Sequence, residues 1–245
     1  MTSSGKSQYR PEVQAGSFSL LEFAVTCPAK PAPVQEQVGV VIKASRVVRG
    51  KTIGDGVPRL HVEYGRTVNG QLKMKWDSLD GQFKAYPLRR HRPGDAVEVS
   101  VLQGKQVEHV IGILQSLATG NWWIFYNGDA LGYYPASMFT MLNSGACGAS
   151  WYGEIYNRYP SKQTSLKTDM GSGLFGHLGA NGTAYVRSPL YVAMNYWYGP
   201  ELTENNTVYM APQIDVCYTR SKMENNIVYF GGPGGKNPLC IWPKP

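Results

Sequence analysis

A chain of 245 residues, 42% of them hydrophobic, is long enough to close one sizeable core. No apolar run approaches the roughly 18 residues of a membrane-crossing helix. The 24 Lys and Arg against 17 Asp and Glu, a formal charge of +7, are not focused enough to argue for a nucleic-acid partner. The densest basic stretch, Arg89, Arg90, His91 and Arg92, runs into Pro93-Gly94 and reads as a solvated loop.

In chain order, residues 1–10 read as a mobile tail and 11–245 as one domain. The opening MTSSGKSQYRPEV lacks the apolar centre of a signal peptide, so the chain as written is expected to be soluble, and either intracellular or separated from a leader and pro-region. Short alternating or β-branched runs follow: SFSLLEFAV, EQVGVVIKA, RLHVEYG, QLKMKW, AVEVSVL, NWWIFYNG, WYGEIYN, TAYVRSPLYVAMNYW, NTVYM, QIDVCYT and NIVYFGG. Their spacing predicts an all-β sandwich or barrel. Asn69-Gly70, Asn127-Gly128 and Asn181-Gly182 suit hairpin turns, because both residue types tolerate positive φ. One short helix is expected at PASMFTML, residues 135–142, with Pro135 at its start and Gly145 beyond its end.

Most motif-like strings have a plain structural reading. GGPGGK has Phe230 where a phosphate loop needs its first glycine and Asn237 where it needs Ser or Thr, so it reads as a turn. GACGASWYG lacks the elbow of a serine nucleophile. The triplets starting at Asn181 and Asn205 fit the glycosylation pattern and matter only in a secreted protein. His61, His91, His109 and His177 are scattered and no CxxC occurs, which argues against a metal site. Cys217 and Cys240 flank a segment rich in Asn and Gly and can close a loop, while Cys27 and Cys147 stand far apart. WYGEIY is more telling. At the strand period of two, Tyr152, Glu154 and Tyr156 share one face, which places a carboxylate between two tyrosines.

The strings ATGNWWIFYNGDALGYYPASMF, ASWYGEIYN, TDMGSGLFGHLGANGTAYVR, DVCY and YFGGPGGKNPLC occur in one order over residues 118–240. Together they resemble the successive signatures of the neprosin family, glutamic peptidases that cut after proline. SFSLLEF and IGDGVPRLHVEYG resemble, more weakly, that family's FSLSQIW strand and YGDNRTRLFTYWT region. The segment QLKMKWDSLDGQFKAYPLRRHRPG departs from it, and one family disulfide is absent.

The resemblance implies a two-sheet antiparallel β-sandwich, a groove with a pair of glutamates acting in acid without metal or cofactor, a secreted or vacuolar zymogen, and a terminal bridge between Cys217 and Cys240. Glu154 corresponds to one family glutamate. Gln37 stands at the position of the other, while Glu36 belongs to the opposite face with Val38, Val40 and Ile42. Glu22 occupies a position where the family has Gln, so Glu and Gln have traded places. A hairpin about CPAKPAP would set Glu22 and Gln37 side by side, facing Glu154. Tyr152, Tyr156, Trp122 and Trp123 are expected to line the same groove, with NWWIFY and WYGEIY as central strands. The expected partner is a proline-containing peptide. The competing reading is a non-peptidase groove that binds or transforms a small molecule or glycan, with neither nucleic acid nor membrane as partner in either case.

Overall fold

The computed structural model describes residues 17–27, 35–43, 46–48, 51–53, 57–76, 81–157, 169–180, 182–189, 217–221 and 223–234. The expected tail at 1–10, the string NTVYM and the linker 28–34 lie outside them, as do Asn181, Asn205 and most of QIDVCYT.

The described residues form antiparallel sheets joined by short turns. The first sheet holds β1 (Ser17–Cys27), β2 (Glu36–Lys43), β5 (Arg59–Val68), β6 (Gln71–Trp76) and β11 (Gly148–Asn157), in the order β11-β1-β2-β5-β6. The second holds β7 (Lys84–Ala85), β8 (Ile111–Gln115), β9 (Trp122–Tyr126) and β10 (Asp129–Tyr134), in the order β7-β10-β9-β8. A third, β12-β14-β13, is built from β12 (Ala184–Arg187), β13 (Thr219–Arg220) and β14 (Ile227–Gly231), and β3 (Arg46–Val48) pairs with β4 (Lys51–Ile53). Thus β9 is an internal strand as expected, whereas β11 is the outermost strand of its sheet among the described residues.

Alternation explains the layering. Val38, Val40 and Ile42 of β2, with Leu60 and Val62 of β5, meet Ile111, Ile113, Trp122, Ile124, Tyr126, Leu131 and Tyr134 of the second sheet in one core. The intervening residues of each strand form the opposite faces, and in β2 and β5 these are buried as well, with Val41 fully enclosed and His61 and Glu63 nearly so. Two hairpins close where the sequence predicts them, with Asn69-Gly70 at φ 53° and 74° and Asn127-Gly128 at 48° and 85°. GGPGGK is used for close packing. A Cβ on Gly232 would lie 2.1 Å from the carbonyl oxygen of Cys217, so only glycine fits beside that strand.

Two sequence expectations fail for local reasons. PASMFTML forms one 3-10 turn, Ala136–Met138, and a second follows at Leu142–Ser144. The helix stops because Phe139 turns extended and enters the core, while the amides of Thr140, Met141 and Leu142 donate to the Glu36 carboxylate at 2.8–3.1 Å. AVEVSVL alternates, with Val97 and Val99 against the core, yet only Ala96 bridges to Arg59. β6 pairs with β5 from Glu63 onward, which leaves the first residues of β5 to bond residues 94–97.

The basic stretch is a surface loop. Arg90 is largely exposed and grips Asp129 with two hydrogen bonds of 2.6 and 2.8 Å.

Candidate functional site

Residues paired across an antiparallel ladder project to the same side of the sheet. The registers of the first sheet therefore define rows on the face turned away from the core. One row runs Glu154, Leu20, Lys43, Arg59, and the next Tyr152, Glu22, Val41, His61. Then come Ser150, Ala24, Gly39, Glu63, Trp76, and finally Gly148, Thr26, Gln37, Gly65, Met74. Tyr156, opposite Phe18, belongs to the same face.

Glu22 and Glu154 thus occupy one face of adjacent strands. Glu22 is opposite Tyr152, and Glu154 is opposite Leu20. Diagonal positions of this kind have Cα atoms about 7–8 Å apart.

Gln37 is not beside Glu22. Its partner on β1 is Thr26, and the partner of Glu22 on β2 is Val41, an offset of four residues or about 13 Å along the strands. The expected register would have carried the ladder on to Pro33, which has no N–H to donate; the observed ladder ends at Cys27 opposite Glu36. Because the shift is even, Glu22 and Gln37 keep a common face. The distance to Glu154 is greater, six residues along and two strands across, so Gln37 and Glu154 do not meet.

Gln37 has a different partner. Its side-chain Nε2 donates to Oε1 of Glu63 on β5 at 3.2 Å. Gln37 is 8% exposed, and Glu63 and His61 are 1% exposed. Residue types alone did not reveal this pair, although the alternation in RLHVEYG already put His61 and Glu63 on one face.

The predicted tryptophans lie elsewhere. Trp122 is a core residue, 3% exposed, whose Nε1 donates to the Leu142 carbonyl at 3.1 Å. Trp123 is on the outward face of the second sheet, packed against Tyr133 and Tyr86. The core separates both from Glu154. They cannot line one groove with it.

Glu36 is a structural carboxylate. Its oxygens accept from the amides of Thr140, Met141 and Leu142 and from the Thr140 hydroxyl. Desolvation pushes its pKa up, but these donors outweigh that and hold it below the ordinary 4.5. At the far end of the second sheet, His109 Nδ1 bonds the Tyr126 hydroxyl at 2.7 Å. Burial lowers the His109 pKa against the opposing effect of Glu98, and raises that of Tyr126 to about 12. Neither Cys147 nor Cys217 is a free thiol. Cys240 lies outside the described residues, and Cys27 is described in its backbone alone.

The neprosin family model matches residues 41–233, well over half of the chain. The match includes Glu154, His61 and Glu63, while Glu22 and Gln37 precede it. With all-β antiparallel architecture and the family model agreeing over that span, this chain belongs to the neprosin family.

Proposed function

We propose that this chain is a glutamic endopeptidase that cleaves after proline in acid, with Glu22 and Glu154 as its catalytic carboxylates. The observation carrying this reading is their placement as diagonal neighbours on one face of adjacent strands. Family membership supports the reaction class.

Hydrolysis without a metal or a covalent intermediate needs one ionised carboxylate and one protonated one. The ionised glutamate takes a proton from water as the water oxygen attacks the scissile carbonyl carbon. The protonated glutamate hydrogen-bonds the carbonyl oxygen as charge develops there. Collapse of the tetrahedral species breaks the C–N bond, with a proton delivered to the leaving nitrogen. Two nearby carboxylates can share one proton in acid, which supplies one ionised and one protonated group at once. Tyr152 is directly opposite Glu22, a position that supports its role as a substrate contact in this reading.

The test is to incubate the protein with an unfolded proline-rich substrate between pH 3 and 7 and map new termini by mass spectrometry. Cuts clustered after proline at acidic pH support the reading. An intact substrate at every pH, together with binding of a glycan or small molecule, favours the non-peptidase alternative.

The reading places the protein in an oxidising compartment, secreted or vacuolar. The ladder pairs Thr26 with Gly148, so its next pair would be Cys27 and Cys147, at a separation suited to a disulfide. Cys217 then bridges to Cys240. Non-reducing peptide mapping is expected to recover these two linked pairs, and Cys217→Ala with Cys240→Ala to cost about 3 kcal/mol in chemical denaturation. Recovery of Cys27 linked to Cys240 would refute the pairing.

A further inference from the structure

A sheet face turned to solvent is ordinarily polar. The outer face of the second sheet is not. Its ladder registers set Lys84, Tyr133, Trp123 and Leu114 in one row across all four strands, with Phe125 and Gly112 in the next. Phe83 enters the core, so at period two Lys84 and Tyr86 both face outwards. Trp123, Phe125, Tyr133 and Leu114 are each partly open to solvent, while Lys84 and Tyr86 are exposed. The corresponding face of the first sheet differs, since Val41, His61 and Glu63 are enclosed there.

The rings make one continuous surface. Trp123 and Tyr133 meet with centroids 4.9 Å apart and planes inclined at 39°, and Tyr86 stands edge-on to Trp123 at 6.0 Å. Gly112, opposite Phe125, puts no side chain beside it. Positive charge is confined to one end. Lys84 bonds the Gly81 carbonyl at 3.1 Å and Arg89 the Tyr86 carbonyl at 2.8 Å, and no carboxylate among the described residues pairs with either. Arg90, by contrast, is taken up by Asp129.

We propose that this face binds a linear polysaccharide carrying carboxylate groups, a polyuronate, with sugar rings stacked on Trp123, Tyr133 and Tyr86 and one carboxylate beside Lys84 and Arg89. A pyranose has a C–H face that lies flat on an aromatic ring and hydroxyls around its rim, which suits rings fixed on rigid strands. The row spans three strand spacings, about 14 Å, room for more than one sugar. A peptide fits less well. The row crosses the middle of the sheet and not an edge, and the contact between Trp123 and Tyr133 leaves no slot for a proline ring. A single-stranded nucleic acid would need cations along the whole track. Residues 110–123, which form the far end, include no Lys or Arg. The proposal is independent of the peptidase reading, because the core lies between this face and Glu154.

The test uses the full-length protein and calorimetry, with oligogalacturonate as the probe and its methyl ester as the uncharged match. Wild type should bind the acid form more tightly than the ester, and added salt should narrow the difference. Trp123→Ala is expected to weaken both forms at least about tenfold, the scale of losing one stacked ring. Tyr86→Ala, at an exposed position that the fold does not depend on, should weaken both as well, and it keeps the test decisive if Trp123→Ala fails to fold. Lys84→Gln should weaken the acid form about two- to fivefold and leave the ester unchanged. No saccharide binding by the wild type at millimolar concentration overturns the proposal, as does binding that survives both ring variants, or an acid form held no better than the ester. Tighter binding of an oligothymidylate or a polyglutamate peptide gives the face to another partner and overturns it too. A complex that responds to Glu154→Gln instead of to the ring variants puts the saccharide on the first sheet, with the same consequence.

Discussion

Glu154→Gln is expected to lower kcat on a proline-containing peptide by about 10²–10⁴-fold, the range for losing a positioned acid or base. At 1.36 kcal/mol per decade that is roughly 3–5 kcal/mol of transition-state stabilisation. The change leaves size and hydrogen-bonding capacity nearly intact, so KM should move little. Glu22→Gln should behave alike, because the proposed mechanism has the two carboxylates act as one proton-sharing unit. The double variant should be barely worse than either single one, as residues acting together are strongly non-additive. A stopped assay with quantified product peptides provides the measurement.

Glu36→Ala is expected to be more damaging to stability than the loss of either Glu22 or Glu154. It leaves the amides of Thr140, Met141 and Leu142 without their acceptor and unties the turn that follows Phe139 from β2. Losing bonds to a buried carboxylate costs about 3 kcal/mol or more, or roughly 6–12 °C in Tm for a domain of this size. Glu36→Gln keeps one acceptor oxygen and should cost less. The sign with pH follows from the depressed pKa of Glu36: its stabilisation is complete above the unfolded value near 4.5 and is lost as pH falls through the folded value. His109 acts in the same direction. Its imidazole is held below its ordinary 6.5, so the unfolded chain takes up that proton first and stability falls as pH drops below that value. Urea denaturation at pH 7, 5 and 4 should show stability declining, and the decline below pH 5 should shrink in Glu36→Gln.

Face assignment within a strand was legible in the sequence, and pairing between strands was not. Period two separates Glu36, Val38, Val40 and Ile42 from Gln37, Gly39 and Val41, as β2 shows. The same rule puts Trp122 and Trp123 on opposite faces, so they were never able to line one groove. Only the partner sheet decides which of them enters the core. The β1–β2 ladder ends at Cys27 opposite Glu36, and counting from the middle of the linker misses this register by four residues. The Gln37–Glu63 contact needs β5 beside β2 and an empty position at Gly39, a long-range pairing that no local pattern encodes. PASMFTML carries good helix signals, but the decisive acceptor for its amides, Glu36, lies about a hundred residues earlier in the chain.

The proposed function stands on Glu22 and Glu154 acting as one catalytic carboxylate pair on the first sheet. Its most direct test is the rate of cleavage of a single proline-containing peptide from pH 3 to 7 by wild type, Glu22→Gln and Glu154→Gln. The wild type should show a bell-shaped acidic profile, and each variant should lose at least about a hundredfold at every pH. A Glu22→Gln protein that keeps the wild-type rate and profile would contradict it.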